Sequence, residues 1–427
     1  MRKIIVVIFM LLVSSFAMAK DHPYFISNMA ISNDAKYIAV SRLDNKIIVF
    51  NRENQKTFKV LEDANHSIHW LVVFTPDSKY FVFQHYDNSL MFYDLKKEKI
   101  AKKVVIGYPL SSIAFFKDNN TFIVGGLDGK IEVINISTKD RKTLKPRVPD
   151  AELSDFFTPI SSIKISHDEN YFVTTTYTGD WREEPEQDLE LIERKKVPSG
   201  NIYEDWNVKH IGLNLWDAKT FTKIKKMRET ALNGHTWPVF SPDGKYVVSS
   251  CDGGRIYVWD GKTGERIREW NCLSNGIGFM SNDYYAFLVT SGSKPCLWVD
   301  SIQNLIKDEL REKPGRHAGK EFFIKPRACQ GAIVTDPSRN LIVVGTEDGS
   351  ISVYKFNPQT LDIELEWHPK SVISGLIGWI SPSLTMFKRT DEINEMVQKY
   401  EVEQLRQTEK EREQETVETE YETIEVK

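Results

Sequence analysis

The chain has 427 residues, of which 41% are hydrophobic and 11% aromatic, and a net charge of −4. That is enough apolar material for a substantial core, which excludes an intrinsically disordered protein. Charge is concentrated at the end: residues 390–427 hold thirteen Asp or Glu against five Lys or Arg, a net of −8, so the body is nearly neutral and offers no electrostatic footprint for nucleic acid.

The first nineteen residues read as a secretory signal. Arg2 and Lys3 precede an apolar run at 4–13, and small residues follow to Ala17-Met18-Ala19. The run is half the roughly twenty residues that a bilayer-spanning helix needs, so cleavage before Lys20 outranks an uncleaved anchor. No later segment is long and apolar enough to span a bilayer, and no Cys sits near the cleavage point to accept a lipid. The expectation is an exported chain without a transmembrane segment after cleavage, in a bacterial periplasm or secreted.

From residue 20 to 370 a unit of about forty residues recurs: an apolar strand, a turn with Asp, an apolar strand, a second turn, and another apolar strand. Its first turns are Ser32-Asn33-Asp34, Thr75-Pro76-Asp77, Lys117-Asp118, His167-Asp168, Ser241-Pro242-Asp243-Gly244, Ser281-Asn282-Asp283 and Thr335-Asp336-Pro337. Second turns such as Asp44-Asn45, Asp87-Asn88, Asp128-Gly129 and Asp348-Gly349 suit two-residue hairpins. The strands between these turns lack apolar-polar alternation, so both faces must be covered, as radially stacked sheets provide. Fourth strands such as 222–227 and 265–270 carry Lys or Arg, the charge that protects an exposed edge.

The copy running from Gly234-His235 to Trp259-Asp260 resembles the Trp-Asp (WD) repeat of β-propellers at both ends of that family's signature. The resemblance implies an all-β propeller of four-stranded blades, used to bind other proteins; seven repeat units make seven blades the best count, with six or eight as alternatives. It also implies that His235, Ser250, Asp252 and Trp259 form a structural hydrogen-bonded tetrad rather than a catalytic triad. Either Ser249 or Ser250 can serve as its serine. The chain order starts on an innermost strand and leaves little to complete the last blade, so the mode of ring closure stays open.

Function in such a ring resides in what the repeat does not need. The insertion at 178–210 in blade four carries Trp181, Arg182, Ile192, Tyr203 and Trp206. Because aromatics and Arg are enriched in interface hot spots, these are the candidate partner-binding residues; folding back onto the blade is the alternative. After blade six, residues 301–313 read as a short helix with Ser301 as N-cap, packed under a blade. Residues 371–389 are apolar but interrupted by Gly375, Gly378 and Pro382, and read as a closing segment. The acidic tail, 390–427, reads as partly helical or disordered, with capture of a basic partner as the sharper alternative.

Cys251, Cys272, Cys296 and Cys329 allow two disulfides in any of three pairings, or four buried thiols. No catalytic or nucleotide-binding motif is present, and no cofactor is implied. No metal site is expected, since His66 and His69 are three apart in an extended segment and face opposite sides. The reading is a non-enzymatic protein-binding scaffold of unspecified oligomeric state. Its competitor is a propeller enzyme or small-ligand binder with a site on the central axis.

Overall fold

The computed structural model describes residues 26–62, 71–145, 160–176, 210–230, 236–251, 255–271, 274, 276–289, 296–307, 319–324, 328–346, 349–369 and 422–426. Blade one is built from β1 (Ile26–Ile31), β2 (Tyr37–Arg42), β3 (Lys46–Asn51) and β4 (Lys56–Glu62). Blade two has β5 (Val72–Phe74), β6 (Tyr80–Gln84), β7 (Ser89–Asp94) and β8 (Lys99–Val105). Blade three has β9 (Leu110–Phe115), β10 (Thr121–Gly126), β11 (Ile131–Asn135) and β12 (Asp140–Lys145). Blade four has β13 (Ile160–Ile165), β14 (Tyr171–Thr176), β15 (His210–Asp217) and β16 (Lys223–Thr230). Blade five has β17 (Thr236–Phe240), β18 (Tyr246–Cys251), β19 (Arg255–Asp260) and β20 (Arg266–Asn271). Blade six has β21 (Ile277–Phe279), β22 (Tyr284–Val289), β23 (Cys296–Ser301) and β24 (Lys320–Phe323), with helix α1 (Ile302–Lys307) between the last two. Blade seven has β25 (Ala328–Asp336), β26 (Leu341–Thr346), β27 (Ile351–Asn357) and β28 (Asp362–Trp367).

Every blade is an antiparallel meander in chain order, and first strands of neighbouring blades lie against one another at every seam but that of blades two and three. One apolar cluster fills each of the seven seams between blades. This double covering is why the strands run apolar on both faces: all six residues of β7, Ser89 and Asp94 included, are buried. The fold is therefore the seven-bladed all-β propeller that the repeat predicts.

The first turn of a blade is fixed by its own side chains. In blades one, two, four and five, Ser32, Thr75, Ser166 and Ser241 donate to the carboxylate two residues on, at 2.5 to 2.7 Å, and accept from the backbone N–H that opens the second strand. The next residue takes a left-handed backbone: Ala35, Ser78, Glu169 and Gly244. The third turn is set by Asp or Asn at the end of the third strand, as when Asp260 accepts from the N–H groups of Lys262 and Thr263. In all seven blades the first and third turns are also clasped by a backbone hydrogen bond, as from Gly261 N–H to the Lys245 carbonyl.

Ring closure uses no shared sheet. Blade seven completes itself with β28, and its seam with blade one is closed by side chains: Ile26, Met29, Ile38 and Val40 pack on Ala332, Leu341, Val343 and Trp367. Gly345 is small because a Cβ there would lie 2.8 Å from the Ala332 Cβ and 3.0 Å from Ile26 Cδ1. Arg52 of blade one pairs with Glu366 of blade seven at 2.5 Å, and Arg339 donates to the Asn33 carbonyl at 2.8 Å.

Ser301 Oγ accepts from Gln303 N–H at 3.1 Å, capping α1, and Ile302 and Leu305 are buried in the seam of blades five and six. The helix lies inside blade six rather than after it, because Lys320–Phe323 supplies that blade's fourth strand. Cys296 is a buried free thiol that burial pushes up to about 12, so two disulfides among the four cysteines do not form. The described end of the acidic tail is neither helical nor disordered: β29 (Glu422–Glu425) adds to blade two as a fifth strand, parallel to β8. The signal at 1–19, the segment 371–389, and His66 and His69 lie outside the described residues.

Candidate functional site

The two ends of the ring differ. First and third turns share one face, and there neighbouring blades are tied together. Asp34 N–H donates to Ser78 Oγ at 3.0 Å, Asp77 N–H to Asn119 Oδ1 at 2.7 Å, and Lys117 Nζ to the His167 carbonyl at 2.6 Å. The opposite face receives the second turns and the connections between blades. There the chain leaves β14 at Thr176 and re-enters β15 at His210, the widest interval within any blade. Trp181, Arg182, Ile192, Tyr203 and Trp206 all fall in that interval, outside the described residues.

At the seam of blades two and three, the same face carries a polar cluster that sequence reading did not find. Glu132, buried on β11, accepts from Tyr108 Oη at 2.6 Å and from Thr143 Oγ1 at 3.0 Å, and pairs with Lys130 at 2.7 Å and Arg141 at 3.6 Å. Lys130 also lies 4.8 Å over the Tyr108 ring. Gln84 holds the connection in place, donating to the Tyr108 carbonyl at 3.1 Å and accepting from Leu110 N–H at 2.8 Å. Burial alone would raise the Glu132 carboxyl, but hydrogen bonds from Lys130 and Tyr108 and the Arg141 charge hold it below the ordinary 4.5. Burial and the Glu132 charge push the Tyr108 phenol the other way, far above its usual range. With every acid matched by donors, this cluster is built to hold a connection rather than to transfer protons. The available signal was a lone acid in the apolar strand Ile131-Glu132-Val133-Ile134, immediately after an Asp-Gly turn.

On the same face Asp87 pairs with Lys103 Nζ at 2.7 Å and lies 3.1 Å from His85 Nδ1, and Tyr86 is exposed. Burial opposes ionisation of Asp87, yet the bonds from Lys103 and His85 hold its carboxyl well below the usual range.

Of the predicted tetrad in blade five, His235 and Asp252 lie outside the described residues. The Trp259 indole N–H donates to Ser249 Oγ at 3.1 Å, not to Ser250. Register explains the choice: Trp259 stands opposite Val247, so Ser249, two residues on, shares its face and Ser250 points the other way. Blade four repeats this geometry, with Trp216 donating to Thr174 Oγ1 at 3.0 Å. Ser249→Ala is expected to cost about 1–2 kcal/mol by leaving a buried indole N–H unpaired, and Ser250→Ala clearly less; thermal unfolding of the two variants checks the assignment.

Lys164, on the first strand β13, is exposed between the buried Ile163 and the half-buried Ile165. No group of three or more His, Cys, Asp or Glu that could hold a metal is found among the described residues, and no described helix is long and apolar enough to cross a membrane.

Residues 228–260, from the last strand of blade four to Trp259-Asp260, match the family described as WD domain, G-beta repeat. Among solved structures, the chain is similar to the crystal structure of the Myceliophteria thermophila Cps50 (Swd1) beta-propeller domain. The two share 14% sequence identity and a TM-score of 0.53 over 78% of this chain and 96% of that one, a likeness that shows the fold alone. No curated protein matches by sequence. The chain is thus a seven-bladed β-propeller that carries a WD-type repeat at its fifth blade.

Proposed function

We propose that this propeller is an exported, non-enzymatic scaffold that binds a protein partner through the face bearing the second turns, with residues 178–210 as the principal contact. The observation that carries the reading is the asymmetry of the ring. On one face turn-to-turn hydrogen bonds tie blade one to two, two to three and three to four, whereas the other is where the chain departs from its repeat between Thr176 and His210. The four strands of blade four are complete without that interval, and its Trp181, Arg182, Tyr203 and Trp206 are residue types that anchor interfaces. Export rests on the charged and apolar pattern of the first nineteen residues.

Replacing residues 182–209 with a Gly-Asn turn tests the site. Thermal stability is expected to persist, because β14 and β15 already pair through five registered positions, while capture of the partner from native extract is lost. Capture at the original level by the shortened protein would refute the assignment. A ligand site on the axis is a second reading, for which the exposed Lys164 on the first strand of blade four is the candidate side chain. Metal analysis and absorbance spectroscopy of purified protein would reveal a resident group there.

A further inference from the structure

Blade two is the blade that carries a fifth strand, and that strand comes from the far end of the chain. Between Pro369 and Glu422 lie residues 370–421, after which β29 pairs with β8 in the order Glu422 to Lys102, Thr423 to Lys103, Ile424 to Val104 and Glu425 to Val105. The pairing is parallel, against the antiparallel meander of every blade, so it is an addition to a finished sheet rather than part of its folding unit. Chemistry matches on both sides. The edge strand Lys99-Ile-Ala-Lys102-Lys103-Val-Val105 is basic, and the arriving segment belongs to the −8 tail. Ile424 is 4% exposed and joins Val104, Leu71 and Ile106 in the seam of blades two and three, with Val426 packed beside it. Among the described residues Ile424 and Val426 are the apolar side chains that anchor the strand, and the rest of the contact is main-chain pairing, the makeup of a replaceable peptide.

We propose that the outer edge of blade two is a strand-addition site for an extended acidic peptide of a partner protein. Its pattern is acidic, any residue, Ile or Val, acidic, and the chain's own last residues occupy the site in cis as a built-in competitor. A tether of some fifty residues keeps the tail at a high effective concentration, so a partner must displace it, and shortening or sequestering the tail opens the edge. This surface lies on the rim of blade two, and its test is independent of the insertion in blade four.

The probe is a fluorescent peptide of residues 417–427, titrated against the full chain, a chain ending at Tyr421, and the full chain carrying Ile424→Asp. The two variants with a disabled tail are expected to bind the peptide at least about tenfold more tightly than the full chain. Binding should weaken with added salt, and disappear for an Ile424→Asp peptide and for a scrambled peptide of equal charge. Lys99→Glu with Lys102→Glu in the shortened chain should weaken binding while leaving its melting temperature in place. Failure of the shortened chain to bind, equal binding by full and shortened chains, or equal binding of the scrambled peptide would overturn the proposal. Dimers of the full chain that Ile424→Asp abolishes would also overturn it, by showing that the tail seats on a second copy.

Discussion

Replacing Gly345 with valine is expected to destabilise the ring by about 3 kcal/mol, or roughly 4 °C in Tm for a fold of this size. The new Cβ would meet the Ala332 Cβ at 2.8 Å and press on Ile26 Cδ1 and Met29 Sδ at 3.0 Å. Ala332 cannot yield, because it belongs to β25, the innermost strand of blade seven, and Ile26 and Met29 stand on β1, the innermost strand of blade one. Among the described residues no hydrogen-bonded strand spans this seam, so the damage has no ladder to contain it. By comparison, Arg52→Ala removes a half-exposed ion pair from the same seam and should cost about 1 kcal/mol or less. Thermal unfolding of the two variants separates a closure made by packing from one made by charge.

The second large effect concerns Glu132. Glu132→Ala strips the acceptor from Tyr108, Thr143, Lys130 and Arg141 at once, and should cost about 3–5 kcal/mol, as breaking a buried ion pair from one side does. Acid should act on the same group in the intact protein. Because its carboxyl is held below the ordinary 4.5, the folded state binds fewer protons than the unfolded one. Its contribution is therefore complete above that value and is lost as pH falls through the lower folded-state value. In Glu132→Gln the share of acid sensitivity due to this residue should vanish, with the unfolding midpoint less dependent on pH below about 4.5. A pH dependence identical to that of the parent would place the depressed carboxylate elsewhere.

What the residues disclosed in advance follows the range of the interactions involved. Ser241, Asp243 and Gly244 are close in sequence and in space, so the first turn could be read directly, and seven such turns gave the blade count. Ser249 could not be told from Ser250 without the register of β18 on β19, since one residue of slip exchanges the two faces. Closure at Gly345 depends on a partner at Ile26, three hundred residues away, and a glycine in an apolar strand does not announce who approaches it. The tail misled for a related reason: its charge pattern is that of a solvated extension, and only the Lys-rich edge of β8 turns Glu422–Glu425 into a strand.

Placement of the binding face is the claim on which the functional account stands, and site-directed photo-crosslinking tests it most directly. Leu127, in the second turn of blade three, and Thr138, in its third turn, sit at opposite ends of a blade that packs against blade four. With a photoreactive residue at one position or the other, and the native extract as the source of partner, crosslinked product is expected from position 127 and not from 138. Product from 138 alone, or equally from both, would contradict the account.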